Sequence, residues 1–316
     1  MVRIFRTMGW LKMSSHYLSI DIGGTSIKYG LVDASGVLYK STKVPLPTTI
    51  DDLKKWLAQV IDKNRDIQGI GICCPGKINS VTTLISNAGA VPYLDHTIFK
   101  AVLPDNLNIP VAIENDAKAA TLAEMWLGNL KDITNGAALI LGTSIGGGIV
   151  INGDLVPGDH LQAGEVGYMI TDPTAKISKK KLAGFNASAV GMIRQINEEV
   201  SNPNLLDGYA AFDAIRISER ARQIFEAYCR RIGQIIITLN SVIDVSKIVI
   251  GGGISAQDEL IVEINRQYDY FSDDISVIKR RLTKPTIIAA KFLNDANLYG
   301  AVYKLLLQID RDRVMQ

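Results

Sequence analysis

Short apolar runs alternate with glycine-rich or polar turns over the first part of the chain. Residues 17–39 show this pattern as strand, turn, strand, turn, strand, with breaks at Gly23 and Gly24 and again over residues 33–36. Residues 50–62 change to a helical period, because their apolar side chains recur on one face of a helix. That face is formed by Leu53, Trp56, Leu57, Val60 and Ile61. The pattern therefore predicts a β-meander followed by an amphipathic helix.

Strands and helices continue to alternate along the rest of the chain. The predicted order is a strand over 68–76, a strand over 111–115 that runs into a helix, a strand, turn and strand from Gly136, a helix over 218–242, a strand from Lys247 that breaks into a glycine turn before a helix, and a C-terminal helix. Asn115 is the expected N-cap of the second helix and Gly128 its expected stop. This alternation is typical of an α/β fold.

Composition narrows the class of protein. The chain has 316 residues, of which 47% are hydrophobic and 21% charged, enough for two domains with separate cores. A net charge of +2 gives no broad basic field for nucleic acid. Three cysteines make no disulfide framework and fit a reducing cytoplasm. No apolar run reaches the roughly 18 residues of a membrane span, and no signal peptide is expected. The dense basic run over 176–181 is interpreted as a solvated loop.

The four residues GTSI occur twice, at 24–27 and at 142–145. Each copy follows an apolar run and precedes a second one, so each is expected to be the turn of a β-hairpin. Glycine lets backbone N–H groups approach a phosphate without a Cβ between them. Two such turns facing each other across a cleft could hold a nucleotide polyphosphate. Ordinary turn chemistry is the competing interpretation of so short a match.

Several longer stretches carry a resemblance to a known family. DIGGTSIKYGLVD at 21–33 resembles the first phosphate motif of the sugar kinase, actin and Hsp70 superfamily. Four more stretches resemble the ROK family of sugar kinases and repressors, and IVIGGGIS at 248–255 resembles that family's adenosine motif. The four are GICCPGKI at 71–78, IENDAKAATLAE at 113–124, LGTSIGGGIVING at 141–153 and AGEVGYM at 163–169. They appear in family order and cover nearly everything from Ser15 onwards.

The resemblance implies a fold and a set of ligands. The fold class is α/β, with two ribonuclease-H-like domains of the actin and hexokinase type around a hinged cleft. Residues 1–16 would be an extension, 17–114 with 296–316 a small domain, and 115–295 a large one. The ligands would be ATP, and Mg²⁺ held through water by Asp21. The ATP-binding residues would be Gly23, Gly24, Thr25, Lys28, Gly142, Thr143, Gly251, Gly252 and Gly253. Family members are often dimers or tetramers, and a homodimer is the expectation here.

Catalysis and sugar binding are implied for a second set of residues. Asp116 matches the family's general base, which accepts the proton of the sugar hydroxyl while the γ-phosphoryl group transfers. Asn115 and Glu165 match residues that bind the sugar, and Gly76, Asn87 and Tyr168 fall in sugar-side segments. The competing interpretations are structural: Asp116 as a helix cap, Asp21 as a turn residue, Lys28 as an exposed strand lysine, Glu165 as a loop residue and the glycines at 251–253 as a strand-to-helix turn.

The sequence departs from the family where many members bind zinc. Tyr168 stands in place of a histidine, and ITDPTAKISKKKLAGFNAS contains neither cysteine nor histidine. No zinc site of the family type is therefore expected. Gly184 stands near the position of another sugar-binding glutamate, which suggests a more apolar and roomier pocket. This combination is similar to that of the zinc-less bacterial β-glucoside kinases.

The leading hypothesis is thus an ATP-dependent sugar 6-kinase for cellobiose-type β-glucosides. Glucose and N-acetylmannosamine remain open as substrates. A non-catalytic sugar sensor is a hypothesis of another class, and so is a ROK-type transcriptional regulator. A regulator is disfavoured, since only about sixteen residues precede the first strand and no basic recognition helix is visible. A small-molecule sugar is the expected partner, with no nucleic acid and no membrane.

Overall fold

A computed structural model describes residues 15–172 and 178–315, and these divide into two compact units. Unit 1 comprises the chain up to Gly128, Pro157–Gln162, and the chain from Asp295 onwards; unit 2 comprises Asn129–Val156 and Ala163–Asn294. The strands are β1 (His16–Ile22), β2 (Ser26–Asp33), β3 (Leu38–Pro45), β4 (Ile70–Cys74), β5 (Lys77–Ile78), β6 (Ile85–Ser86), β7 (Val111–Asn115), β8 (Gly136–Leu141), β9 (Ile145–Ile151), β10 (Asp154–Leu155), β11 (Lys247–Gly251) and β12 (Thr286–Ala289). The helices are α1 (Ile50–Asp62), α2 (Asp116–Trp126), α3 (Ala183–Asn186), α4 (Ala189–Glu199), α5 (Gly208–Ile217), α6 (Glu219–Ile243), α7 (Asp258–Asp274), α8 (Ser276–Arg281) and α9 (Ala296–Val314).

The two units repeat one sheet topology. Unit 1 has the strand order β3-β2-β1-β4-β7, and unit 2 has β10-β9-β8-β11-β12. In each sheet the first three strands of the unit form an antiparallel meander, and two further strands run parallel to the first. The two GTSI turns therefore occupy equivalent positions, each joining the first two strands of its unit. The repeat in the sequence is a repeat in the fold.

The apolar pattern explains where the helices pack. Helix α1 covers the predicted residues 50–62, and Leu53, Leu57 and Val60 are buried in the core of unit 1. Thr49 caps this helix by accepting a hydrogen bond from the Asp52 amide. The long helix of unit 2, α6, buries its apolar face in a core that also contains residues of β8 and β11. None of the helices in the described ranges is long and apolar enough to cross a membrane.

The compact units differ from the predicted domain boundary after Glu114. Helix α2 and residues 157–162 belong to unit 1, whereas the sequence placed both in the large domain. The reason is packing of α2 against α9: the rings of Trp126 and Tyr303 stack with centroids 5.4 Å apart. The buried Lys118 ammonium also donates a 2.7 Å hydrogen bond to the Leu161 carbonyl, which ties residues 157–162 to the same unit. The predicted extension over 1–16 lies almost wholly outside the described residues.

The β2–β3 turn depends on one buried carboxylate, and we expect its loss to weaken the fold. Oδ1 of Asp33 accepts hydrogen bonds from the Ser35 amide, the Ser35 hydroxyl and the Val37 amide, and Oδ2 accepts one from the Tyr39 hydroxyl. Burial raises the pKa of Asp33, but these hydrogen bonds together outweigh burial and hold the pKa below its ordinary value. Asp33→Ala should therefore lower the free energy of unfolding by about 1–3 kcal/mol at pH 7.

The pH dependence of that difference checks the cause. Because the folded pKa of Asp33 is lowered, its contribution is complete above the unfolded value of about 3.9 and is lost as the pH falls through the folded pKa. Urea unfolding of the wild type and of Asp33→Ala should differ most above pH 5, and the difference should shrink as the pH falls below 4. The exposed Asp66, changed to Asn, is the matched control. A difference that stays constant with pH would contradict the role of the charge.

Candidate active site

The predicted catalytic residues of unit 1 lie at one edge of its sheet. Strands β1, β4 and β7 are parallel, and their register pairs Asp21 with Cys73 and Cys74 with Asn115. The carboxyl ends of these strands therefore meet at the same edge, which is where α/β sheets bind ligands. Asp21, Asn115 and Asp116 are all at or just beyond that edge.

Asn115 caps α2 as predicted, and this fixes its side chain. Its Oδ1 accepts hydrogen bonds from the amides of Ala117 (3.0 Å) and Lys118 (3.2 Å), and its Nδ2 donates to the Gly76 carbonyl at 2.9 Å. The oxygen is thus fully occupied, and one N–H of the amide remains for a ligand. An asparagine amide can in general both donate to and accept from a sugar hydroxyl. The geometry favours donation alone.

Asp116 is the first residue of α2 and is half-buried. Its Oδ1 accepts a 2.8 Å hydrogen bond from the Ala117 amide. The interpretation of Asp116 as the helix cap is wrong, because Asn115 holds that position and provides the capping oxygen. A carboxylate at a helix N-terminus is favoured in its ionised form by the helix dipole. The fold thus places an acceptor at the strand edge that α2 does not need as a cap.

Asp21 is held by two donors that sequence analysis did not identify. Its Oδ1 accepts hydrogen bonds from the Cys73 thiol at 3.3 Å and from Asn297 Nδ2 at 3.1 Å. Burial raises the pKa of Asp21, and these hydrogen bonds and the nearby Lys28 offset this only in part. Burial also raises the pKa of Cys73 strongly, so its thiol remains a donor. No tertiary partner of Asp21 could be read from the sequence, since Cys73 and Asn297 come close only in the fold.

The carboxylate of Asp21 fits a water-bound divalent cation. No hydrogen bond from a described residue reaches Oδ2, so this oxygen remains for a cation's water shell while Oδ1 is held by Cys73 and Asn297. A cation beside Asp21 would offset the effect of burial and favour the ionised form. Within 15–172 and 178–315 there is no group of three or more His, Cys, Asp or Glu side chains that could hold a metal directly. A single carboxylate acting through water is the arrangement that Mg²⁺ commonly accepts.

Lys28 lies opposite Asp21 in the β1–β2 register, and its ammonium forms an ion pair with Asp295 at 2.6 Å. The side chain is therefore held at the edge of the sheet rather than extended freely into solvent. Its predicted contact with a phosphate stays a prediction.

The first glycine turn is built for close backbone approach. The Gly23 amide donates to the Ser26 carbonyl at 2.9 Å, and Gly24 and Thr25 are exposed. A Cβ on Gly24 would come within 2.7 Å of Ala90 Cβ, so a larger residue would displace that neighbour. Among the described residues, the Gly24 and Thr25 amides have no hydrogen-bond acceptor. Two exposed amides in a tight turn suit an anion.

A second segment joins this turn to Asn115. Gly76 has φ +108°, and a Cβ there would lie 2.9 Å from the Ser86 carbonyl and 3.1 Å from the Asn87 carbonyl. Asn87 is exposed with φ +54°, and its amide donates to Asp95 Oδ1. Residues 87–90 therefore border both the glycine turn and Gly76. Unit 1 thus holds Asp21, Asn115 and Asp116 at one sheet edge, and Gly76 links Asn115 to residues 87–90.

The glycine turns of unit 2 also share an edge. Strands β8 and β11 are parallel neighbours, so the turn at Gly142 and the turn at Gly252 follow adjacent strand ends. Gly252 has φ +100°, and a Cβ there would lie 2.0 Å from the Leu141 carbonyl. A Cβ on Gly253 would meet nothing within 4 Å, so this glycine leaves space. The predicted order of strand, glycine turn and helix is confirmed, with α7 beginning at Asp258.

The second GTSI turn is anchored to a helix. The Gly142 amide donates to the Ser144 carbonyl at 2.9 Å, and the Gly142 carbonyl accepts from the Ala189 amide at 3.0 Å. Helix α4 begins at Ala189 with Ser188 as its cap. Thr143 is exposed at the tip of the turn. The turn and the first residues of α4 are thus one hydrogen-bonded assembly.

The AGEVGYM motif contains a short 3₁₀ turn, Val166–Tyr168, and Glu165 lies directly before it. Gly164 precedes it with φ +84°, and a Cβ there would lie 2.8 Å from the Gly147 carbonyl. Glu165 is half-buried, and its backbone carbonyl accepts from the Tyr168 amide. The side chain of Tyr168 is 72% exposed, so the phenol has room to turn toward or away from a ligand.

The expectation that Gly184 leaves a roomier pocket is wrong. Gly184 is buried in α3, and a Cβ there would come within 2.4 Å of the Ser144 hydroxyl and 3.2 Å of the Gly167 carbonyl. The space that a side chain would need is filled by the second glycine turn and by the backbone after Glu165.

The basic run over 176–181 is described only in part. Lys179–Lys181 forms a short 3₁₀ turn with Lys179 and Lys180 exposed, whereas Lys176 lies outside the described residues.

One further pair in unit 1 supports the site and was missed from sequence. Glu114 is buried; its Oε1 accepts from the Asn115 amide at 3.0 Å, and its Oε2 binds the Lys304 ammonium at 2.6 Å. The pair connects the strand end before α2 to α9. Its members are distant in sequence, so no local pattern indicates it.

The chain is similar to known proteins over most of its length. The sequence is 33% identical over 304 residues to the β-glucoside kinase of Listeria monocytogenes, covering 93% of this chain and 98% of that protein. It is 30% identical to the glucokinase of Halalkalibacterium halodurans over 284 residues, covering 81% of this chain and 86% of that protein. The crystal structure of a ROK family protein from Streptococcus pneumoniae TIGR4 in complex with sucrose has a TM-score of 0.84 and 30% identity, covering 94% of this chain and 99% of that one.

These similarities decide several predictions. The α/β fold with two actin and hexokinase-type domains is confirmed, and so is the enzyme class, an ATP-dependent carbohydrate kinase. Kinases of this type imply ATP and a divalent metal. The ROK family pattern matches residues 17–308, which is most of the described chain. The protein therefore belongs to the ROK family.

Proposed function

We propose that this ROK kinase transfers the γ-phosphoryl group of ATP to the 6-hydroxyl of the non-reducing glucose of a β-glucoside, with Asp116 as general base. The observation that carries the proposal is that Asn115 and Asp116 have different roles at the start of α2. Asn115 caps the helix and binds Gly76, so the cap does not depend on the carboxylate of Asp116, and we assign proton transfer to that carboxylate. A base positioned in this way needs only to accept one proton as the phosphoryl group leaves the nucleotide.

The other residues are assigned to binding and orientation. The remaining N–H of Asn115 would donate to a sugar hydroxyl, and the carboxylate of Glu165 would accept from others. The exposed amides of Gly24 and Thr25 would bind phosphate oxygens, as would the equivalent turn at Gly142 and Thr143. Mg²⁺, when bound through water at Asp21, would neutralise charge on the transferring group. Gly253, which has open space around its Cα, would border the adenosine.

The choice of a β-glucoside rests on Tyr168 and on the relatives. A phenol replaces a histidine at the family's zinc position and is 72% exposed, so one end of the sugar would meet a movable aromatic face instead of a fixed ligand. A β-glucoside kinase at 33% identity supports this substrate class, and a solved relative holds the disaccharide sucrose. Zinc has no place in the proposal. A homodimer is proposed from the family resemblance alone.

A glucose kinase is the second candidate, and the 30% identical glucokinase is the observation in its favour. The two functions differ in whether a second ring improves turnover. N-acetylmannosamine would require space for an acetamido group beside the sugar ring.

A coupled ADP-release assay over a sugar panel tests the proposal. The panel contains cellobiose, a simple aryl β-glucoside, glucose, fructose and N-acetylmannosamine, each with Mg-ATP. We expect kcat/KM for cellobiose to exceed that for glucose by tenfold or more, which corresponds to about 1.4 kcal/mol of transition-state binding from the second ring. Phosphorylation at the 6-hydroxyl is then checked by NMR of the product.

The alternatives give different results in the same assay. Turnover of glucose equal to or above that of cellobiose would replace the β-glucoside assignment with a glucose kinase. ATP binding without turnover of any sugar would overturn the kinase function and favour a sugar sensor. Tyr168→Phe is the matched variant. We expect it to leave the ranking of sugars unchanged, because the proposal assigns the sugar contact to the aromatic face and not to the hydroxyl.

A further inference from the structure

A cavity of about 220 Å³ lies within unit 2 between the segment after residue 178, helix α4 and helix α6. None of the residues that line it is assigned above to the sugar, the nucleotide or the metal. The basic run at Lys179–Lys181, which the proposed reaction leaves without a role, contributes Lys180 to its wall. The cavity is therefore a separate feature of this unit.

The charge of the cavity is positive. Lys180 and Arg231 line it, and no Asp or Glu is among the lining residues. Within the described ranges, neither the Lys180 ammonium nor the Arg231 guanidinium has an ion-pair or hydrogen-bond partner. Burial lowers the pKa of Arg231, which means that its charge is only partly solvated. An anion in the cavity would offset that loss of solvation.

Two residues that line the cavity each have a buried polar atom without a partner among the described residues. The hydroxyl of Tyr228, a residue only 1% exposed, has no hydrogen-bond partner in the described structure, and neither has Asn186 Oδ1. Burial raises the pKa of Tyr228 strongly, so its hydroxyl stays protonated and can donate. Asn186 Nδ2 already donates to the Thr171 hydroxyl at 2.6 Å and to the Lys180 carbonyl, which fixes Oδ1 as an acceptor. Buried polar atoms of this kind are normally satisfied by a bound molecule or by water.

We propose that this cavity binds a hexose phosphate. The phosphate group would be held by Arg231, Lys180 and the Tyr228 hydroxyl, and a sugar hydroxyl would donate to Asn186 Oδ1. The apolar side chains of Phe185 and Met192 would border the sugar ring. A bare phosphate would satisfy the cations but leave the Asn186 acceptor unpaired. The ligand therefore carries both an anionic group and hydroxyl donors, in a size that the cavity volume accommodates.

A ligand in the cavity would contact a helix that is hydrogen-bonded to the second glycine turn. Ser188 lines the cavity and caps α4, and the next residue, Ala189, donates its amide to the Gly142 carbonyl. A ligand on this wall contacts the same helical turn that anchors residues 142–144. A change in nucleotide affinity on ligand binding rests on the proposed kinase function. The binding site itself does not.

Isothermal titration calorimetry with glucose 6-phosphate, glucose and inorganic phosphate tests the proposal on the full chain. We expect glucose 6-phosphate to bind more tightly than either fragment. Arg231→Met, which keeps the apolar stem, should raise its Kd by tenfold or more, and Tyr228→Phe by about fivefold. Arg220→Met, on the exposed part of α6, is the control and should leave the Kd unchanged.

Tyr228→Phe keeps the test independent of misfolding. Because the variant removes a hydroxyl that has no described partner, its melting temperature without ligand should equal or exceed that of the wild type. Binding of glucose 6-phosphate at the proposed active site would not depend on Arg231 or Tyr228. An unchanged Kd in both variants, or no binding to the wild type, would therefore overturn the cavity site. Equal affinity for inorganic phosphate would overturn the assignment of a hexose. None of these readings requires kinase activity.

Discussion

Asp116→Asn is expected to lower kcat by about 10²–10⁴-fold while leaving the affinity for ATP within about twofold of the wild type. The substitution keeps the shape of the side chain and its Oδ1, which can still accept from the Ala117 amide. It removes the negative charge and the ability to accept a proton. Because Asn115 carries the capping function, the helix should begin at the same residue in the variant. The loss should therefore appear in the chemical step and not in folding.

Steady-state kinetics and nucleotide titration on the same preparations measure kcat and the affinity for ATP of Asp116→Asn. Asp105→Asn is the matched control, since Asp105 is an exposed carboxylate of the same unit and lies away from the strand edge. The control should keep full activity. An activity within threefold of the wild type would remove Asp116 from the role of base and leave it as an N-terminal helix charge.

Local pattern predicted the elements of this fold well, for identifiable reasons. Helix α1 has a single apolar face, a Thr cap and acidic residues in its first turn, so each local signal agrees. The meander of unit 1 is equally clear, because its turns contain glycine or Asp33 with its own hydrogen-bonded loop. Where all the interactions that form an element lie within one short segment, the sequence is sufficient to predict that element.

The tertiary contacts of the site residues could not be predicted in this way, because they join residues that are distant in the chain. Asp21 meets Cys73 and Asn297 only after β1, β4 and α9 pack, and Glu114 meets Lys304 in the same way. The error at Gly184 has a related origin. A missing side chain was interpreted as empty space, whereas the Ser144 hydroxyl and the Gly167 backbone occupy it. Glycine in a buried position indicates close approach of a neighbour at least as often as an opening.

Helix α2 shows why the domain boundary differed. It is buried nearly all round and rich in alanine, so its composition has no polar face to show which unit it joins. Its partner, α9, lies at the other end of the chain. The contact between them is close enough that Gly300 of α9 lies directly against the Ala119 backbone of α2. That approach assigns α2, which begins at Asp116, to unit 1, where Asn115 already lies as the last residue of β7.

Gly300→Ala is accordingly expected to destabilise the protein by about 2–4 kcal/mol, although alanine is the better helix former by about 1 kcal/mol. A Cβ at this position would lie 1.7 Å from the Ala119 carbonyl oxygen and 2.3 Å from its carbon. Both are backbone atoms, so the two helices would have to separate. Separation would also move the start of α2, and we expect kcat to fall with the stability.

Gly233→Ala provides the control, because Gly233 is also a buried glycine within a helix, α6. A Cβ there would have no neighbour closer than 3.4 Å, an ordinary contact. This variant should be as stable as the wild type or more stable by up to about 1 kcal/mol. Thermal and urea unfolding of the two variants side by side measures the difference. If Gly300→Ala unfolds at the same temperature and urea concentration as the wild type, α2 and α9 have room between them, and the close approach of these two helices is wrong.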